Sequence, residues 1–145
     1  MPLKDRRGDL DVIVRDECLE LLRGRNYGRL GVTSAGQPII LPVNYAMDGE
    51  NIVFRTGAGG KFHAMVHGAR VAFEIDEIDP EHHAGWSVLA TGRVDEVTDQ
   101  DGQDRLEEET PITPWADGER SHWMVIPAPR ISGRRIGPSQ QGSPG

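Results

Sequence analysis

From Arg70 to Asp79 the sequence alternates Val71, Phe73 and Ile75 with Ala72, Glu74 and Asp76, the period of two that a half-buried β-strand requires. That period recurs. Tyr27 to Ser34 carries Leu30 and Val32 on one face, and Asp48-Gly49 turns the chain into a further strand from Asn51 to Thr56. Between them, Pro38 to Ala46 alternates Ile39, Leu41, Val43 and Tyr45 with Ile40, Pro42, Asn44 and Ala46, so both faces are partly apolar. Pro42 places that backbone at a bulge or an unpaired edge. Gly85 to Thr98 reads as one long strand with Trp86, Val88, Ala90 and Val94 on one face and a bend at Gly92. His122 to Pro127 is a last short strand, extended by Ile131 to Ile136 beyond a break at Pro127 and Pro129. Helices are few. Asp16 can cap a segment with Cys18, Leu19, Leu21 and Leu22 as its apolar stripe, and Gly24 and Asn26 end it. Lys61 to His67 is too short for a crossover helix, and the acidic run Asp99 to Glu109 offers only Leu106 to a core. Six short strands, tight turns and helices too few to cover a parallel sheet predict a mainly β fold with peripheral α-helices: a small, closed, antiparallel barrel.

A chain of 145 residues with a net charge of -7 is one domain's worth of sequence and has no basic face for nucleic acid or an anionic membrane. We expect a single domain over residues 1–136 and a disordered tail over 137–145, GPSQQGSPG, which has no apolar anchor. Cys18 is the sole cysteine, so no intramolecular disulfide and no thiolate cage can form; a small buried residue is the expected role. The start, MPLKDRRGDLD, is charged where a signal peptide is apolar, and no run approaches the roughly 20 apolar residues of a membrane span. A cytoplasmic protein is expected.

The segment NIVFRTGAGGKFHAMVHG carries the main functional clue. It ends a strand at Arg55 and Thr56, passes glycines 57, 59 and 60, and opens a short helix at Lys61. Arg55 can fork onto two phosphate oxygens while Lys61 adds a point charge beside bare backbone amides. The ATP loop needs Gly six residues before the Lys and Ser or Thr after it; Arg55 and Phe62 stand there instead. The dinucleotide fingerprint fails too, because GAGG lacks its third glycine and a long helix. In an antiparallel setting the phosphate of a flavin mononucleotide (FMN) fits best.

Other residues carry two readings each. Asn44 and Tyr45 either hydrogen-bond the edge of a flavin ring or are a turn-proximal Asn and a core Tyr. Trp86 and Trp115 either cover a planar ring or a subunit contact, or fill the core. His82-His83 lacks spaced carboxylate or thiol partners, and His63, His67 and His122 are likewise unsupported, so no metal site is assigned. Glu107 to Glu109 is a hydrated face. No nucleophile elbow or metal-ligand helix appears, so no catalytic residue is assigned and chemistry would come from a cofactor.

The stretches from GRLGVTSAGQPIILPVNYAMDGENIVFRTGAGGKFHAMVHGARVAFEIDEID through GWSVLATGRVDEVTD to HWMVIPAPRISGRRI resemble the flavin-binding split barrels related to pyridoxamine 5'-phosphate oxidase, in particular the nitroimidazole-reductase-like, small actinobacterial-type branch. The likeness spans Tyr27 to Ile136 and lies in the order and spacing of these blocks. It implies a six-stranded antiparallel split β-barrel and a homodimer with FMN in the clefts between subunits. It places Arg55, Thr56 and Lys61 at the phosphate, Val43 and Asn44 along the isoalloxazine, and Ser87 near the phosphate or ring edge, with Trp86 and Trp115 reaching across the dimer. An oxidoreductase passing hydride through the flavin to a small-molecule acceptor follows. The arginine and histidine pair that grips substrate phosphate in the authentic oxidases is absent here: Arg130, Arg134 and Arg135 are present, with no His after Trp123. Vitamin B6 phosphate is therefore not the expected substrate. Relatives that use the deazaflavin F420, or bind heme as carriers or sensors, share the fold and stand as the alternatives.

Overall fold

The computed structural model describes residues 10–57, 60–110, 112 and 122–137. Trp115, Gly59 and the tail from Pro138 onward lie outside the described residues. The elements run β1 (Leu10–Ile13), α1 (Arg15–Arg23), β2 (Tyr27–Ser34), β3 (Gln37–Asn44), β4 (Ala46–Asp48), β5 (Asn51–Thr56), α2 (Lys61–Val66), β6 (Arg70–Asp79), β7 (Ala84–Arg93), β8 (Asp95–Val97), α3 (Gln100–Glu109), β9 (His122–Ile126) and β10 (Arg130–Ile136). They form two antiparallel sheets, one of six strands in the order β1-β10-β7-β6-β2-β3 and one of four in the order β4-β5-β9-β8. Among the described residues no helix is long and apolar enough to cross a membrane.

The split barrel is built as the alternation requires. Leu30, Val32, Phe73, Ile75, Val88 and Ala90 of the larger sheet meet Ile52, Phe54, Met124 and Ile126 of the smaller one, and α1 closes one end with Cys18, Leu19 and Leu22. Cys18 is fully buried, its thiol donates to the Ile13 carbonyl at 3.6 Å, and burial pushes its pKa up, so it fills space and forms no nucleophile. The Tyr45 hydroxyl donates to the Leu22 carbonyl, which ties α1 to the turn between the two sheets. A second, smaller cluster of Val53, Leu106 and Trp123 lies beneath α3.

The strand count exceeds the predicted six for three reasons. Gly85 to Thr98 breaks at Val94, so β7 stays in the large sheet and β8 joins the small one. The break at Pro127 and Pro129 likewise sends β9 and β10 to different sheets, so the last segment is a strand of its own rather than an extension. β1 and β4 are short pairings with too few residues to show a period. At α1 the cap is Val14, whose extended backbone continues β1; Asp16 sits in the first turn, where a carboxylate favours the helix dipole, instead of capping. Asp99 does cap α3, accepting from the Gly102 amide at 2.8 Å.

Candidate functional site

Strand alternation decides what the turn after β5 can offer. Arg55 pairs with Trp123 and Thr56 with His122 across β5 and β9, so these neighbours leave the sheet on opposite faces. On the α3 side, the Arg55 guanidinium lies 4.5 Å over the Trp123 ring and donates to Glu107 at 2.9 Å. On the α2 side, Thr56 is buried, and its hydroxyl shares a hydrogen bond of 2.9 Å with Nδ1 of His63. Lys61 is exposed at the start of α2, and among the described residues it enters no ion pair. The two predicted cations therefore part at the turn: Arg55 faces α3, held by a carboxylate that is 66% exposed, while Lys61 stands at the start of α2.

The predicted ring-side residues divide by face. Val43 is buried toward the core, while Asn44 lies on the outer face of the large sheet, opposite Tyr27. Ser87 shares that outer face and lines a shallow depression with Leu89, Ser132, Gly133 and Arg134. Trp86 has the opposite parity: it packs partly on the main core, with the Arg25 guanidinium 5.4 Å from its ring. Its position matches the core-filling alternative.

The outer face has a character of its own. By the register, Tyr27, Ile40, Ile78, Leu89 and Ile136 all point to it, and all five are exposed, Ile40 at 71%. Charges cross its middle: Arg29 donates to Glu74 at 2.9 Å and to Asp76 at 3.4 Å. Burial and the neighbouring Asp76 outweigh Arg29 and raise the Glu74 carboxyl to about 7. The folded chain thus holds a proton that the unfolded chain has released between the ordinary carboxyl range near 4.5 and about 7, so stability falls as pH rises through that window. Glu74→Gln is expected to flatten this part of the profile and to raise Tm more at pH 8 than at pH 5. Thermal melts of both proteins across that range check it; parallel profiles would contradict it.

Sequence reasoning missed a cluster beneath α2. Glu96 on β8 accepts from Nδ1 of His122 at 2.7 Å through Oε2, while its Oε1 lies 3.4 Å from Nε2 of His67 and 4.0 Å from Nε2 of His63. The rings of His63 and His122 stack at 4.1 Å. The hydrogen bond from His122, helped by the charge of the three imidazoles, holds the Glu96 carboxyl below its usual range. The i, i+4 spacing of His63 and His67 was the one signal available in the sequence; nothing local tied Glu96 or His122 to it.

Residues 14–135 match the family described as pyridoxamine 5'-phosphate oxidase. An uncharacterised protein of Mycobacterium tuberculosis, Rv0080, is 32% identical over 127 residues, covering 84% of this chain and 82% of its own. Among solved structures, an FAD binding protein from Mycobacterium smegmatis superposes with a TM-score of 0.74 at 28% identity, covering 87% of this chain and 98% of that one. A conserved protein of unknown function from Corynebacterium diphtheriae gives 0.73 at 26%, covering 89% and 99%. With that family matching residues 14–135, nearly the whole described chain, this protein belongs to the pyridoxamine 5'-phosphate oxidase-like family of flavin-binding split barrels.

Proposed function

We propose that this protein is a homodimeric, FMN-dependent oxidoreductase of the cytoplasm, acting on a small-molecule acceptor. The observation that carries the flavin is the likeness to the FAD binding protein of M. smegmatis over nearly all of that chain. The residues at the β5–α2 turn fit a flavin phosphate in charge. Lys61 is solvent-facing, and Arg55 is engaged by Glu107, an exposed carboxylate that a phosphate dianion can replace. Since the Thr56 hydroxyl is committed to His63, the grip falls on these two cations. Two cations in an acidic chain suit a mononucleotide tail better than the longer, more anionic tail of F420.

In this reading Asn44 and Ser87 meet the ring on the outer face, where a second copy of the chain closes over it. Five exposed apolar side chains spread over one sheet face, around the Arg29–Glu74 pair, are what a self-complementary interface can bury. The bound flavin supplies reversible hydride acceptance; the protein supplies position and the exclusion of water. Ile40→Lys places a charge on that face and is expected to shift a wild-type dimer to monomer in sedimentation equilibrium, with loss of retained flavin. A variant that stays dimeric would remove this face from the interface. The reading as a whole is tested by reduction of the purified protein anaerobically and stopped-flow reoxidation: an enzyme accelerates electron transfer to a specific acceptor, whereas a carrier only binds and releases.

A further inference from the structure

We propose that His63, His67 and Glu96 form a binding site for a zinc-class divalent metal ion, a site that stands apart from the flavin reading. The three donors approach as the ligands of one ion do. Their ligating atoms all lie within 4.8 Å of one another, and Nε2 of His67 is 3.4 Å from Oε1 of Glu96. Ligands at about 2.0–2.1 Å from a tetrahedral centre stand roughly 3.4 Å apart, so the His67–Glu96 edge is already formed and His63 needs to close by about an ångström. Two imidazoles and one carboxylate suit zinc and its first-row neighbours, whereas magnesium and calcium prefer all-oxygen sets.

Neighbouring side chains orient these ligands, and backbone hydrogen bonds tie together the elements that carry them. Nδ1 of His63 meets the buried Thr56 hydroxyl at 2.9 Å; with that Nδ1–H donated, Nε2 is left as the lone pair facing Glu96. His122 donates to Oε2 of Glu96 at 2.7 Å and stacks on His63, so the carboxylate is turned with Oε1 toward the imidazoles of His63 and His67. His63 lies on α2 and His67 is the residue that caps its C-terminus, its amide donating to the His63 carbonyl at 3.0 Å. The end of α2 is bound to the β7–β8 junction, where the Gly68 amide donates to the Val94 carbonyl at 3.1 Å and the Val94 amide to that of Ala69 at 2.9 Å. Those bonds hold His67 beside Glu96. His67 is half exposed, which leaves an entry path and a position for water or a ligand.

Without an ion, one carboxylate faces three imidazoles; an ion gives His63, His67 and Glu96 a common partner. The test uses the full-length protein, dialysed against chelator and then titrated with zinc by calorimetry and with cobalt(II) by visible absorption. One ion per chain, a raised Tm and the visible bands of four-coordinate cobalt are expected. His67→Ala, at an exposed position that the fold does not need, should weaken zinc binding at least tenfold; Glu96→Gln should do the same while keeping an oxygen for His122. His82→Ala, in the distant pair with Asp79, should change nothing. Absence of zinc binding at submillimolar concentration, or His67→Ala binding as tightly as wild type, would overturn the assignment.

Discussion

Replacing Arg55 by Met and Lys61 by Ala together is expected to abolish flavin retention while the barrel stays folded. Each cation contributes a charge-assisted contact of about 1.5–3 kcal/mol to a phosphate, so the pair accounts for roughly 100-fold or more in affinity. Met is chosen at position 55 because the Arg55 guanidinium lies over the Trp123 ring; an apolar chain of similar length can cover that ring without the charge. Circular dichroism and Tm should match wild type within a few degrees, and fluorescence titration with FMN should show the loss. Glu107→Gln provides the opposite sign. Freed from its carboxylate, Arg55 should bind phosphate more tightly by the value of an exposed ion pair, about 0.2–1 kcal/mol, or up to fivefold. Unchanged occupancy in both variants would remove the β5–α2 turn from the site.

The largest effect on stability is expected at Gly28. A Cβ there would lie 2.5 Å from the Phe73 ring and 2.8 Å from the Glu74 carbonyl oxygen, the second being backbone that cannot step aside. The Phe73 ring covers the bare glycine and meets Tyr45 edge-on at 4.8 Å, in the middle of the main core. Gly28→Val should therefore cost about 3 kcal/mol or more by overpacking. Phe73→Ala should cost about 3–5 kcal/mol by opening a cavity. Because one side chain occupies the space the other needs, Gly28→Ala combined with Phe73→Leu should cost less than the two single changes summed. Urea unfolding of the four proteins in that cycle checks the sign, and strict additivity would show that the ring and the glycine do not share space.

The alternating strands were legible because one face of each is buried: Val71, Phe73 and Ile75 announce β6 by burial alone, and the same holds for Leu30 and Val32 of β2. Where the chain changes sheet, the period gives no warning. Val94 continues the apolar row of β7 in sequence, yet its backbone bonds to Ala69 and turns the chain into the smaller sheet. The cationic turn was visible from residue type, since Arg55, three glycines and Lys61 fall within seven positions. Its facing was not, because Arg55 and Thr56 separate only once β5 is paired with β9. The histidine cluster was hidden for a related reason: Glu96 lies 29 positions beyond His67 and His122 a further 26, and only the joining of β8, β9 and α2 brings them together.

The central proposal is a flat redox coenzyme held by its phosphate at the β5–α2 turn. The most direct measurement is the absorbance spectrum of the purified protein, with mass identification of the small molecule it releases on denaturation. FMN at one equivalent per chain is the predicted result. A colourless protein that takes up neither FMN nor FAD, F420 or heme at micromolar concentration would contradict it.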